Sequence, residues 1–372
     1  MRLYACQYCS LTLYYDNVFC VRCRSKLGYW AETDTLCVLE PVQGSPGLST
    51  SWSVPGVSLR PCANSRYGVC NWMVDADEPE ALCTACRHNR VVPDETSVGG
   101  RAGWRKLEAA KHRLFVAFHR LGLVRVIERA GVESLGFLFL EDVPGGPPIM
   151  TGHAFGLITV AVAEADDVER ERRRHELGEP YRTLLGHFRH ESAHYFWDRL
   201  VRDRGRFDEF RATFGDERTD YQAAVQRYYL SGRRADWQAS FVSAYATMHP
   251  WEDFAETWAH YLHMIATLDT AHAYQLRTAP PADRFGASHI RDPVDPFTAD
   301  DIGSLITVWL PLTTLLNSLN NAVGQDDAYP FVLAAPVVAK LGYIHRLIRT
   351  AVSEAAATDP TLPGSAILGG GP

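Results

Sequence analysis

The chain has 372 residues, 46% of them apolar and 22% charged, with a net charge of -7. That length exceeds one ordinary domain and suggests two, with ample chain for a large core. The acidic balance argues against a general affinity for nucleic acid or anionic membrane. The longest apolar stretch, 302–319, is broken by Ser304, Thr307, Pro311, Thr313, Thr314, Asn317 and Ser318, so no membrane span is expected. The opening Met1-Arg2-Leu3-Tyr4-Ala5-Cys6 does not read as a signal peptide.

All nine cysteines precede residue 87. Most stand in C-x-x-C pairs, which points to metal in a reducing compartment rather than disulfides, and hence to the cytoplasm. Cys6, Cys9, Cys20 and Cys23 form two knuckles that together offer four thiolates to one structural zinc. Between them, residues 11–19 read as two short strands around an Asp16-Asn17 turn. Cys62, Cys70, Cys83 and Cys86 form a second, less regular four-cysteine zinc site, with seven residues between its first two members. His88 is an alternative ligand there. Cys37 is left over and reads as a small buried hydrophobe. A segment this small needs its metal to stay folded. Residues 1–100 hold eight Lys/Arg against ten Asp/Glu, which favours a structural or protein-docking role over phosphate binding. Residues 91–100 read as a linker.

Residues 104–121 are helical by period, through Leu107, Ala110, Leu114, Phe118 and Leu121. Residues 137–140 form a short buried strand, and 156–165 a second one with either a free edge that pairs an extended substrate or an interior place. The charge run 167–176 is a solvated helix face.

The chemistry centres on residues 184–197, Leu-Leu-Gly-His-Phe-Arg-His-Glu-Ser-Ala-His-Tyr-Phe-Trp. They contain H-E-x-x-H. On a helix, His190 and His194 lie one turn apart and reach one ion, while Glu191 is placed to take a proton from a water on it. A third ligand is needed. Residues 249–262 supply a helix with Pro250 in its first turn and Glu252, Glu256 and His260 on one face. Two carboxylates on one stripe suit a ligand plus an acceptor that orients a ligand histidine. Asp253 is an alternative ligand, Asp198 is either a third ligand or a support to one, and His249 and His260 are expected near the site without binding metal. In the last third, helices are expected over 299–319 and 337–351, with His345 a satisfied core histidine. Residues 358–372, rich in Gly and Pro, are expected to be disordered.

The pair H-E-x-x-H and a later E-x-F-A-E resembles the gluzincin class of zinc metallopeptidases. Anthrax lethal factor has a similar second helix, and the resemblance implies Glu252 as third ligand and Tyr245, seven residues earlier, as the group that stabilises the oxyanion. The whole chain is similar to a bacterial family of zinc-binding metallopeptidases with an N-terminal zinc-ribbon domain. That likeness rests on the cysteine pairs, on residues 178–191, on the 252–256 helix and on Tyr329-Pro330-Phe331-Val332-Leu333. One departure is Ala193, where the family has glycine. Alanine is small and favours helix, so the site is expected to survive.

These readings imply an α+β protein: zinc-ribbon modules over 1–98, a mostly helical zincin-like domain with a small sheet over 99–356, and a tail over 357–372. The expected function is zinc-dependent peptide hydrolysis with Glu191 as general base, one catalytic and two structural zinc ions, and a peptide or protein substrate. Membrane is not an expected partner and nucleic acid is disfavoured; a protein could dock on the ribbons. Two rivals stand beside it: an inactive ribbon adaptor binding protein or nucleic acid, and a metal hydrolase acting on a non-peptide amide.

Overall fold

The computed structural model describes residues 2–41, 49–51, 54–94, 96, 100–129, 134–143, 145–177, 182–232 and 234–358. The expected tail beyond 358, part of the expected linker and Gly178-Glu179-Pro180-Tyr181 lie outside them. The chain folds as a zinc-ribbon-like four-cysteine region followed by a mostly helical domain with small sheets. It divides into two compact units, one of residues 2–188 with 352–358 and one of residues 189–351.

In the first unit, β1 (Tyr4–Ala5) pairs antiparallel with β2 (Thr12–Leu13). This corrects the expected hairpin over 11–19. The Asp16-Asn17 turn forms, with Asn17 N donating to the Tyr14 carbonyl and Asn17 Oδ1 accepting from Tyr14 N. The flanking residues, however, pair outward: β2 with β1, and Phe19 with Lys26. Each cysteine knuckle closes its own local pairing, and that decides the register.

A five-stranded antiparallel meander follows: β3 (Leu27–Trp30), β4 (Thr35–Pro41), β5 (Ser49–Ser51), β6 (Val54–Pro61) and β7 (Met73–Asp75). Cys37 is buried there with Trp30, Leu39, Leu59 and Met73, as its reading as a hydrophobe expected. A four-stranded sheet runs in the order β10 (Gly152–Ala154), β11 (Leu157–Ala161), β9 (Gly136–Leu140), β8 (Asn89–Val91). The strand expected over 156–165 is thus shorter and ends in a 3-10 turn over Val162–Ala165. It is interior, bonded to β10 and β9, so it has no free edge for a substrate.

Helix α1 (Gly100–Leu121) buries Trp104, Leu107, Leu114, Phe115 and Phe118. A short α2 (Val124–Ile127) and a charged α3 (Asp167–Leu177) complete the unit. Phe115, Phe137, Phe139 and Phe188 pack edge to face or tilted, with ring centroids 5.7–6.1 Å apart between successive contacts. That apolar cluster holds the entry to α4 (Leu184–Trp197).

The second unit is helical: the rest of α4, then α5 (Phe207–Phe214), α6 (Tyr221–Ser231), α7 (Pro250–Ala273), α8 (Ile302–Ala322) and, as far as residue 351, α9 (Ala335–Thr358). Phe196 stacks on Trp258 at 4.8 Å and Phe214 meets Phe254 at 5.6 Å, so α4 and α5 pack on α7. α8 is long and apolar enough to cross a membrane by length and composition, with a mean hydropathy of 1.4, more than the sequence reading allowed. Its Leu305, Trp309 and Leu312 are buried, and Trp309 lies 4.9 Å from the Tyr329 ring. His345 meets the Tyr261 hydroxyl through Nδ1 at 3.0 Å, the satisfied core histidine expected.

Candidate metal centres

The first knuckle pair shows why the spacing works. Ser10 N donates to the Cys6 carbonyl at 2.8 Å and Arg24 N to the Cys20 carbonyl at 2.9 Å, four residues on in each case. Both residues take the left-handed conformation, with φ of 59° and 64°, which turns each C-x-x-C tightly enough to aim both sulfurs one way. The Sγ atoms of Cys6 and Cys23 are 3.6 Å apart, as are those of Cys9 and Cys20. Tetrahedral zinc with bonds of about 2.3 Å would hold its sulfurs about 3.8 Å apart, so the four fit one ion.

Cys62, Cys70, Cys83 and Cys86 likewise lie mutually within 4.8 Å, with Cys70 and Cys83 at 3.8 Å. Backbone donors support the thiolates: Trp72 N to Cys70 Sγ at 3.3 Å and Cys83 N to Cys62 Sγ at 3.4 Å. His88 is not among the donors. Its Nδ1 meets the Leu135 carbonyl at 2.8 Å, and burial pushes its pKa down to about 4.

The third cluster lies wholly within the helical unit. α4 presents His190 and His194 from successive turns, ring centroids 5.1 Å apart. α7 presents Glu252. His249 caps that helix by accepting from Trp251 N at 3.0 Å, and Pro250 starts it. Glu252 Oε2 is 3.0 Å from His190 Nε2, and Oε1 is 3.6 Å from His194 Nε2. These bracket the separation of about 3.4 Å that tetrahedral zinc–nitrogen and zinc–oxygen bonds near 2.1 Å impose. His190 Nδ1 is held by Glu256 Oε1 at 2.7 Å, which fixes the tautomer with Nε2 facing the cluster. The donor set therefore fits a zinc ion with a fourth position open.

The electrostatics follow from burial and neighbours. Burial alone would raise the Glu252 carboxyl, but His194, His190 and the Tyr221 hydroxyl hold it down at about 2. Glu191 is buried without such support, and burial lifts its pKa to about 7, against the lowering effect of His190. Tyr245 lies with its ring 6.0 Å from that of His190. Burial, then the Glu252 charge, raise its pKa far enough to keep its proton at any ordinary pH.

The alternative ligands Asp253 and Asp198 are drawn elsewhere, pairing with Lys340 at 2.6 Å and Arg202 at 2.7 Å. His260, not expected to bind metal, meets the Tyr329 hydroxyl through Nδ1 at 3.1 Å. Two groups escaped the sequence reading. Tyr221 donates to Glu252 Oε1 at 2.9 Å, and nothing in the sequence signals a partner 31 residues away. His112 points Nε2 at Cys70 and Cys86. Its signal was the polar set Glu108, Lys111 and His112, three and four residues apart, inside a helix whose other buried positions are mostly apolar.

Fold and sites thus define a zinc-binding, mostly helical protein headed by a zinc ribbon. The chain belongs to the family described as "putative zinc-binding metallo-peptidase", whose pattern matches residues 100–347, and a zinc-ribbon domain pattern matches residues 3–97. Two relatives, from Mycobacterium bovis and Mycobacterium tuberculosis, are described as uncharacterized proteins. Each is 38% identical over 349 residues, 94% of this chain and 95% of the relative. No solved structure matches the chain.

Proposed function

We propose that the chain is a zinc-dependent, gluzincin-like metallopeptidase that hydrolyses peptide bonds. The observation that carries this is the convergence of His190, His194 and Glu252 to within 4.8 Å of one another, beside the buried Glu191. Zinc held there would act as a Lewis acid on the scissile carbonyl and lower the pKa of an attacking water. Glu191, poised near neutrality, takes a proton from that water and passes it to the leaving amine. Tyr245 keeps its proton and donates it as a hydrogen bond to the developing oxyanion. Glu256 holds His190 in register through Nδ1. The two cysteine clusters each hold a structural zinc, and the ribbons dock protein rather than nucleic acid. The thiolate sites suit a reducing compartment such as the cytoplasm.

Zinc per chain, measured on wild type and on the His190→Ala/His194→Ala double variant, tests the reading. Three ions falling to two place the third at this cluster. Two in both proteins would favour the inactive adaptor. With three bound, Glu191→Gln is expected to cut the cleavage rate of a quenched peptide library at least roughly a hundredfold while zinc is retained. Turnover of small non-peptide amides alone would favour the second rival.

A further inference from the structure

The second cysteine cluster has a fifth donor. His112, on α1 and buried, places Nε2 3.6 Å from Cys70 Sγ and 3.5 Å from Cys86 Sγ. Adjacent nitrogen and sulfur ligands of a tetrahedral zinc stand about 3.6 Å apart, so the ring is at ligand distance from two of the four thiolates. The ring is fixed: Trp72 stacks on it with centroids 5.2 Å apart and planes 27° from parallel, and Glu108 Oε2 is 3.8 Å from Nε2.

Glu108 itself is not a candidate ligand. Its carboxylate takes Lys111 Nζ at 2.9 Å and Trp104 Nε1 at 3.0 Å, together with the Asn89 amide. Those partners satisfy it and hold it in place. A compact four-cysteine site needs no histidine. With all four thiolates bound, Nε2–H is a donor shared by two sulfurs. With one thiolate withdrawn, the Nε2 proton passes to solvent or is exchanged for one on Nδ1, and the freed Nε2 lone pair becomes available to the ion. Of the two cysteines whose sulfurs His112 faces, Cys70 is the half-buried residue and Cys86 the buried one.

We propose that His112 is a reserve ligand of the second zinc site, taking the coordination position that Cys70 leaves. This rests on the assignment of a zinc to Cys62, Cys70, Cys83 and Cys86. It makes the metal site depend on α1, a helix of the metallopeptidase segment rather than of the ribbon.

The test is zinc per full-length chain for four proteins. Wild type and Cys62→Ala/Cys83→Ala establish the site, whose dismantling should remove one ion. Cys70→Ser should keep the wild-type count, and Cys70→Ser/His112→Ala should lose one. An ion lost from Cys70→Ser alone, or kept in the double variant, overturns the inference. No difference between wild type and Cys62→Ala/Cys83→Ala would overturn the four-cysteine assignment itself, and the inference with it. Should Cys70→Ser not be recovered folded, His112→Ala decides: zinc release to a chromogenic chelator should be faster by roughly tenfold or more, and an unchanged rate overturns the role.

Discussion

Tyr221 and Tyr245 both stand at the histidine cluster, but their chemistry separates them. Tyr221 donates its hydroxyl hydrogen bond to Glu252 Oε1 at 2.9 Å, so in the proposed reading it orients a ligand. Tyr245 has its ring 6.0 Å from His190 and its pKa raised by burial, so in the proposed mechanism it is the tyrosine that serves the oxyanion. Tyr245→Phe should therefore lower kcat by roughly a hundredfold with zinc content and KM little changed. Tyr221→Phe should weaken zinc binding by roughly tenfold, read by competition with a chelator of known affinity. The reverse pattern would exchange the two roles. What the sequence revealed at this scale follows sequence distance. His190 and His194 are four residues apart on one helix, and each cysteine knuckle is local, so spacing alone displayed their chemistry. The Tyr245 role came from resemblance, and Tyr221 and His112 stayed hidden because their partners come from other elements.

At the scale of elements, periodicity located α1, α4, α9 and the first half of α7, because each has an apolar face of many residues. It failed where pairing rather than pattern decides. Residues 11–19 looked like a hairpin, yet their partners are Tyr4–Ala5 and Lys26. The approach to α4 was equally invisible. Glu164, buried in the 3-10 turn after β11, receives Arg182 at 2.6 Å and Arg173 at 3.0 Å, with His187 at 3.6 Å. It thereby ties α3 and the first turn of α4 to the sheet. Burial would raise this carboxyl, but Arg182, His187 and Arg173 hold it below the usual carboxylate range. A depressed folded value means that the stabilisation is complete above the unfolded pKa of about 4.3. It is then lost as pH falls through the folded value. Glu164→Gln should cost roughly 2 to 3 kcal/mol at pH 7, discounted for the partly exposed Arg173. The gap from wild type should shrink as the pH falls below 4. A constant gap in urea midpoints across that range would show that the carboxylate's charge contributes nothing.

For the whole molecule, the cysteine-rich composition suggested a boundary near residue 98, where the two family patterns also meet, and contacts across it join the two sides in one compact unit. β8, ahead of the boundary, pairs in parallel with β9 beyond it. The buried Trp72 ring stacks on His112 and lies 5.8 Å from His119, both on α1. Asp34 draws Arg2 at 2.9 Å from the first strand's approach and Arg120 at 3.3 Å from the end of α1. Composition reports what a segment is made of, and these contacts depend on what it packs against. Because zinc binding in so small a sheet is a large part of its folding free energy, removing the metal should release α1 as well as the ribbon. Hydrogen exchange of the reduced protein, with and without a strong chelator, measures this directly. The expected result is joint loss of amide protection in β3 to β7 and in α1. Protection lost from the strands but kept in α1 would show that the helix is held by its own packing on Phe137 and Phe139, and that the metal stabilises the ribbon alone.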